Sequence, residues 1–462
     1  MSLPLPAKFM KDFTQGKILP QLVQLALPIM GTGLAQLALT FTDIFWLGRL
    51  SSEAVAAVSI AGFVAWITYA IACTTKIGVE VGIAQAIGAK KFAVARNLAA
   101  HAVTISLIGA LIVGALLLIF TPKIIGVFNL QPAIGEQCYS YLRIMVYSLP
   151  FWFFNPTFSG IYNGCGNSRT PFVVSTIGIL TNVVLDPFLI FGIGFFPALG
   201  VEGAALATAV ALVVEFSIFV ALLRRKSTIP LPDFRFFTPL KRNLSWRLLK
   251  VGAPPSLQSV LFATFSMAVS TISASVGGHI GVAVQGAGGQ MESLSWVTAT
   301  GVATALGAYI GQNYGAQKMQ RVVKSFIAAM GLVLAYGAVV GGCFMLFGKN
   351  IFSLFIPSDA AVIDEGTRYL FIFGISQLFL CAEITASGAF NGISRSHYAA
   401  AVSITLTALR IPAALWLSRS MGLAGVWWAM SITTIIKGLV LSSTFLIFVK
   451  RISAKPIKML IS

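Results

Sequence analysis

Residues 18–47 read Ile18-Leu-Pro-Gln-Leu-Val-Gln-Leu-Ala-Leu-Pro28-Ile-Met-Gly-Thr-Gly-Leu-Ala-Gln-Leu-Ala-Leu-Thr-Phe-Thr-Asp43-Ile-Phe-Trp-Leu47. About 20 apolar residues suffice for one membrane-spanning helix, and this run is longer. It is also too long for the apolar core of a signal peptide, so it reads as a retained span. Asp43 is the exception inside it. A carboxylate near the bilayer centre costs roughly 2.5–3.5 kcal/mol on insertion scales. No basic residue lies in the run, so Asp43 needs a partner from elsewhere, a proton or a cation.

The rest of the chain has the same character. Of 462 residues, 57% are hydrophobic and only 10% charged, against about 25% charged in soluble proteins. Apolar runs at about 18–48, 52–86, 92–121, 132–164, 170–195, 200–223, 244–277, 280–313, 319–347, 357–391, 396–418 and 422–449 predict twelve spans. The net charge of +18 does not point to nucleic acid, because the basic residues lie in short turns between apolar runs. Most fall in alternate connections: Lys8 to Lys17, Lys90 to Arg96, Arg169, Arg224 to Lys250, Lys318 to Lys324, Arg395, and Lys450 to Lys458. By the positive-inside rule these face the cytoplasm, with both termini.

The chain then divides in two. The longest polar connection, Arg224 to Trp246, contains Pro230, Pro232 and Pro239. Leu22–Pro28 is echoed by Leu248–Pro254, Gln85-Ala-Ile-Gly-Ala89 by Gln312-Asn-Tyr-Gly-Ala316, and Ser159-Gly-Ile-Tyr-Asn-Gly164 by Ser387-Gly-Ala-Phe-Asn-Gly392. Gly200-Val-Glu-Gly203 is echoed by Gly422-Leu-Ala-Gly425, so the offsets stay within 222 to 228 residues. Six spans per half is an even number, which makes the repeat parallel, with its axis along the membrane normal. The expected organisation is a cytoplasmic segment 1–17, an N-terminal lobe 18–223, a linker 224–243, a C-terminal lobe 244–450 and a cytoplasmic tail 451–462. Such halves suit alternating access to a shared substrate site; a duplicated channel or scaffold is the other reading.

The halves differ in their acids. Asn182 and Asp186 stand four residues apart on one face of span five, followed by Pro187; the second half has Leu409-Arg-Ile-Pro412 there. At about 1.5 Å per residue, Asp43, Asp186, Thr208, Asn182 and Asn155 reach a similar depth from four spans. Their oxygens suit a hard monovalent cation such as Na⁺. Two carboxylates held close resist ionising together, so H⁺ and Na⁺ would compete for the same place. Lys76 and Glu80, four apart on span two, predict a local ion pair, and Glu215 low in span six reads as a snorkelling side chain. Glu292 and Glu383 are candidates for a substrate or proton site in the second half, with Arg410 and Lys437 available to neutralise either one. Pro28 permits a hinge in span one, as Pro254-Pro255 does in span seven.

Other chemistry finds little support. The five cysteines form no CxxC and have no His at metal spacing, and His101, His279 and His397 are isolated from any nucleophile–base arrangement. Gly286-Ala-Gly-Gly289 is followed by no Lys-Ser/Thr, so it is no phosphate loop. No enzyme and no cofactor are expected.

Several stretches together resemble the multidrug and toxic compound extrusion (MATE) family: Leu27-Pro28, Ala35-Gln36 and Thr42-Asp43; Ala84–Ala89; Tyr141-Leu-Arg-Ile144; Gly164-Cys-Gly-Asn-Ser-Arg-Thr-Pro171; and Asp186-Pro187 with Gly203–Thr208. The resemblance covers nearly the whole chain. It implies an all-α integral membrane fold of twelve transmembrane helices in two pseudo-symmetric six-helix bundles arranged as a V. It further implies a multidrug efflux antiporter of the plasma (inner) membrane, driven by H⁺ or Na⁺ and exporting amphipathic, often cationic compounds as a monomer. Asp43, Asn155, Asn182, Asp186 and Thr208 look like the N-lobe cation site of the family's DinF-like branch, and Pro28 like its hinge. A flippase of lipid-linked precursors within the same superfamily is the alternative.

Overall fold

In the computed structural model, which describes residues 10–127, 130–194, 196–225, 231, 234–357 and 359–453, the chain forms helices α1 (Ile18–Leu50), α2 (Ser52–Gly88), α3 (Phe92–Val127), α4 (Pro132–Gly164), α5 (Arg169–Phe191), α6 (Val201–Arg224), α7 (Arg242–Gly315), α8 (Met319–Phe355), α9 (Ala360–Gly392), α10 (Ser396–Ala408), α11 (Arg410–Met421) and α12 (Leu423–Ser453). α7 is two spans: Gly278, at φ 56° and ψ −137°, breaks its 74 residues between the two runs expected there. α10 and α11 form one span interrupted at Leu409, because Pro412 cannot donate to the carbonyl one turn back. The expected twelve spans are therefore present. Ten helices are long and apolar enough to cross a membrane by composition, α7 counting once. α4, 33 residues long with Glu136 and Arg143, joins them by its place in the repeat. Leu111, Ile119, Leu346 and Leu354 are 61 to 81% exposed, as side chains facing lipid should be. Residues 1–9, Lys226, Pro230, Pro232 and the tail from 454 on lie outside the described residues.

The repeat is visible in the backbone. Non-glycine residues with positive φ, Lys90 and Gln317, close the second span of each half, and Gly166 and Ser394 close the fourth. The hydrogen bonds match as well: Lys90 N–H donates to Ile87 O and Lys91 N–H to Ala86 O, as Gln317 N–H does to Tyr314 O and Lys318 N–H to Asn313 O. Left-handed C-terminal residues of this kind satisfy the last carbonyls of a helix. Gly200 and Gly422 share a conformation at the start of the sixth span, φ 56° and 59°.

The repeated glycines are packing residues. A Cβ at Gly160 or Gly164 of α4 would run into the carbonyl oxygens of Lys76 and Glu80 on α2; one at Gly388 or Gly392 of α9 would meet those of Ala303 and Gly307 on α7. Small residues four apart let two helix backbones touch where lipid offers no hydrophobic drive to associate. In the first half the seam is extended by the hydroxyls of Thr75, Ser106 and Thr157, mutually bonded at 2.7 to 3.0 Å.

Two compact units result, one containing Gly31–Ser256, the other Phe13–Met30 with the chain from Leu257 on. The divisions fall just after Pro28 and Pro254-Pro255, so the start of α1 counts with the second unit and the start of α7 with the first. Within the second unit, Phe13 N–H donates to Gln312 Oε1 at 2.9 Å and Phe13 O accepts from Asn313 Nδ2 and Arg321 Nε. Within the first, Lys241 N–H donates to His101 Nε2 and Thr238 N–H to Thr104 Oγ1. The segment preceding the leading span of each half is thus tied down by side chains.

Candidate functional site

The 3.6-residue period of α5 decides the geometry. Gly178, Asn182, Asp186 and Leu189 form its buried face, while Ile177, Leu180 and Val184 on the other side are 40 to 58% exposed. Asp186 is 1% exposed, and its carboxyl and that of Asp43 are hydrogen-bond partners. Two carboxyl groups can hydrogen-bond only if one of them holds a proton. With the Asn182 amide oriented by its neighbours, Nδ2 donates to Asp186 Oδ2 at 3.2 Å, and Oδ1 accepts from Thr208 Oγ1 and from Thr208 N–H, each at 3.0 Å. Asp186 Oδ1 has no N–H or hydroxyl donor among the described residues. Tyr141 of α4 completes the group: its hydroxyl bonds Thr208, and it lies within electrostatic reach of the aspartate pair.

Four of the five sequence candidates, Asp43, Asn182, Asp186 and Thr208, therefore meet at one place in the first unit, carried by α1, α5 and α6. Asn155 lies one layer away. Its Nδ2 donates to Leu212 O at 3.0 Å and to Glu215 Oε2 at 3.1 Å. Glu215 also accepts from Ser175 and packs on Gly178. The expectation that Glu215 snorkels is overturned, because Gly178 lacks the Cβ that would keep this carboxylate away from α5. Ser175, Gly178, Asn182 and Asp186 share one helical face, and Thr208 and Glu215 are two turns apart on α6. That spacing was the available signal for Glu215, and Tyr141 had none beyond its place in a motif.

Of the remaining interior charges, Lys76 and Glu80 depart from the sequence expectation, whereas Lys437 neutralises Glu383 as expected. Lys76 and Glu80 interact electrostatically, but no ion pair joins them among the described residues. Glu80 bonds Asn163 instead, and Lys76 lies near Tyr69 and Cys73. In the second unit Glu383 forms an ion pair with Lys437 at 2.8 Å and accepts from Ser403 at 3.0 Å. Glu292 accepts from the Tyr369 hydroxyl. Glu292 and Glu383 are therefore held at separate points.

Two carboxyls, an amide and two hydroxyls from four helices thus form one polar group in the first unit. A family profile, MatE, matches residues 28–188 and again 254–416. The chain belongs to the MatE family. Its two matched stretches begin at Pro28 and Pro254, which are equivalent positions of the sequence repeat. MATE proteins are transporters, not enzymes. Similar relatives include a probable multidrug resistance protein NorM of Thermotoga maritima, 28% identical over 90% of this chain and 89% of that protein. An FAD transporter of Shewanella oneidensis is 24% identical over 90% and 92%. A solved MOP-superfamily transporter from Pyrococcus furiosus, described as having a binding pocket of reverse polarity, superposes with a TM-score of 0.90 at 24% identity, covering 96% and 98%. The MATE fold of twelve helices is thus shown for this multi-pass membrane protein.

Proposed function

We propose that this MATE transporter is an efflux antiporter of the plasma (inner) membrane, with both termini cytoplasmic. Na⁺ or H⁺ entering the Asp43–Asp186 site drives export of amphipathic small molecules. The hydrogen bond between the two carboxyls carries this reading. Exchanging that shared proton for Na⁺ breaks the hydrogen bond that ties α1 to α5, and losing it altogether also changes the charge of the group. Asn182, Thr208 and Tyr141 offer further oxygens to a hard cation, as the cation site of the DinF-like branch would. Asn155 stands behind them, holding Glu215. Pro28 leaves a backbone acceptor on α1 unpaired by the helix ladder, so α1 has a place to bend when Asp43 changes partner.

The test is dye efflux from vesicles carrying purified protein, under an imposed Na⁺ gradient and, separately, an imposed pH gradient. Asp43→Asn and Asp186→Asn are each expected to reduce gradient-driven efflux to background; undiminished efflux in both would refute the coupling. The gradient that sustains wild-type efflux identifies the ion. Relatives are named for multiple drugs and for FAD, so the dye panel should include both cationic and anionic members.

A further inference from the structure

Four charged side chains share the interior of the second unit, and only two of them touch. Glu383 and Lys437 form their ion pair at 2.8 Å. Arg410 senses Glu383 and Glu292 electrostatically, yet the hydrogen bonds of Arg410 and of Glu292 are to neutral groups. Arg410 is 6% exposed. Its Nε–H donates to Thr433 Oγ1 at 2.9 Å and its Nη2 to Thr434 Oγ1 at 2.8 Å. Both threonine hydroxyls donate back to carbonyls of α12, those of Ala429 and Met430. They therefore meet the guanidinium as acceptors and bring no compensating charge. Arginine does not escape such a position by deprotonating, and its charge is balanced only at a distance, by Glu383 and Glu292.

The geometry is specific. The two threonines occupy the side edge of the guanidinium, Nε–H with one Nη2–H. The end edge, the second Nη2–H with Nη1–H, has no acceptor among the described residues. That edge is the parallel two-donor fork that matches a carboxylate or phosphate. Phe262 of α7, 41% exposed, lies 6.0 Å from the guanidinium carbon, so an aromatic surface adjoins the fork. The interruption at Leu409 sets Arg410 at the first position of α11.

We propose that Arg410 binds an oxyanion group, carboxylate or phosphate, of an aromatic amphipathic cargo, with Phe262 beside it and Thr433 and Thr434 orienting the fork. This rests on the export reading and narrows its cargo, which then includes compounds bearing a negative group as well as cations. Glu292, held by Tyr369, stays apart from Arg410 and leaves the fork open.

The test is binding to detergent-solubilised protein, read by fluorescence anisotropy, of a rhodamine carboxylic acid and its ethyl ester. The two share a cationic chromophore and differ only in the carboxylate. Arg410→Gln is expected to weaken the acid about tenfold or more and the ester less than about twofold. Arg410→Lys, which keeps the charge and loses the fork, should recover part of the acid's binding. Equal weakening of both probes, or of neither, would overturn the proposal, as would failure of the wild type to bind the acid. If Arg410→Gln does not fold, Thr434→Val decides: the acid-to-ester affinity ratio should fall about threefold, and an unchanged ratio overturns the assignment. Ester binding without acid binding leaves the export reading standing. Arg410-dependent acid binding without gradient-driven transport would refute the export reading alone.

Discussion

Asp186 is placed by its neighbours one turn away in both chain and space. Asn182 reaches its Oδ2 from the preceding turn of α5 and is itself anchored on Thr208. Substituting Asn182→Leu removes that donor while keeping the volume apolar. The expected outcome is a loss of roughly 1–3 kcal/mol, the cost of a buried acceptor left without its partner, read as a lower midpoint in thermal unfolding in detergent, together with weakened efflux. Gly178→Ala probes the adjoining layer. Its methyl would displace Glu215 from α5 and cost about 1–3 kcal/mol as overpacking; unchanged melting would mean Glu215 finds another rotamer freely. The Asn182/Asp186 pair was legible because helical periodicity alone puts positions four apart on one face. Tyr141 was not, since an aromatic residue on a span looks the same whether it meets lipid, core or a carboxylate.

Among the helices, close approach is specified by glycine. α4 lies on α2 at Gly160 and Gly164, and α9 on α7 at Gly388 and Gly392. Gly164→Val and Gly392→Val are each expected to destabilise by more than a typical surface substitution, about 1–3 kcal/mol or above, measured as reduced monodisperse yield and midpoint. A larger effect at one site than at the other would show how far the halves have diverged. Gly278 acts through conformation rather than space: a Cβ there meets nothing within 4 Å, yet φ is 56° and ψ −137°. That region is open essentially to glycine alone, so Gly278→Ala should cost about 1–3 kcal/mol and disturb the joint between the two arms of α7. The motifs ending in Asn163-Gly164 and Asn391-Gly392 were visible as repeats, and their function as contact points needed the neighbouring backbone.

For the molecule as a whole, orientation is the testable property. A fluorescent protein fused at the C-terminus should fluoresce in intact bacterial cells, and alkaline phosphatase at the same point should be inactive; the reverse pattern would reject the inward placement of the basic loops. The chain halves and the compact units do not coincide. Residues 13–30 pack with the second unit and the stretch up to Ser256 with the first. Pro28 lies two residues before the division within α1, and Pro28→Ala is expected to slow gradient-driven efflux severalfold while leaving the dye's affinity at equilibrium within about twofold.

Hydropathy, basic-residue placement and self-similarity are carried by the chain's own order, and they determined twelve spans and a parallel duplication; the family resemblance of its motifs added the transporter. They also determined that Asp43 needs company, because burying a charge in hydrocarbon is costly whatever the fold. Which side chain supplies that company depends on helices far apart in sequence, so only the tertiary structure decided it. The same holds for Glu215 against Asn155, for Glu383 with Lys437, and for Arg410, whose hydrogen-bond partners are two threonines and not a carboxylate.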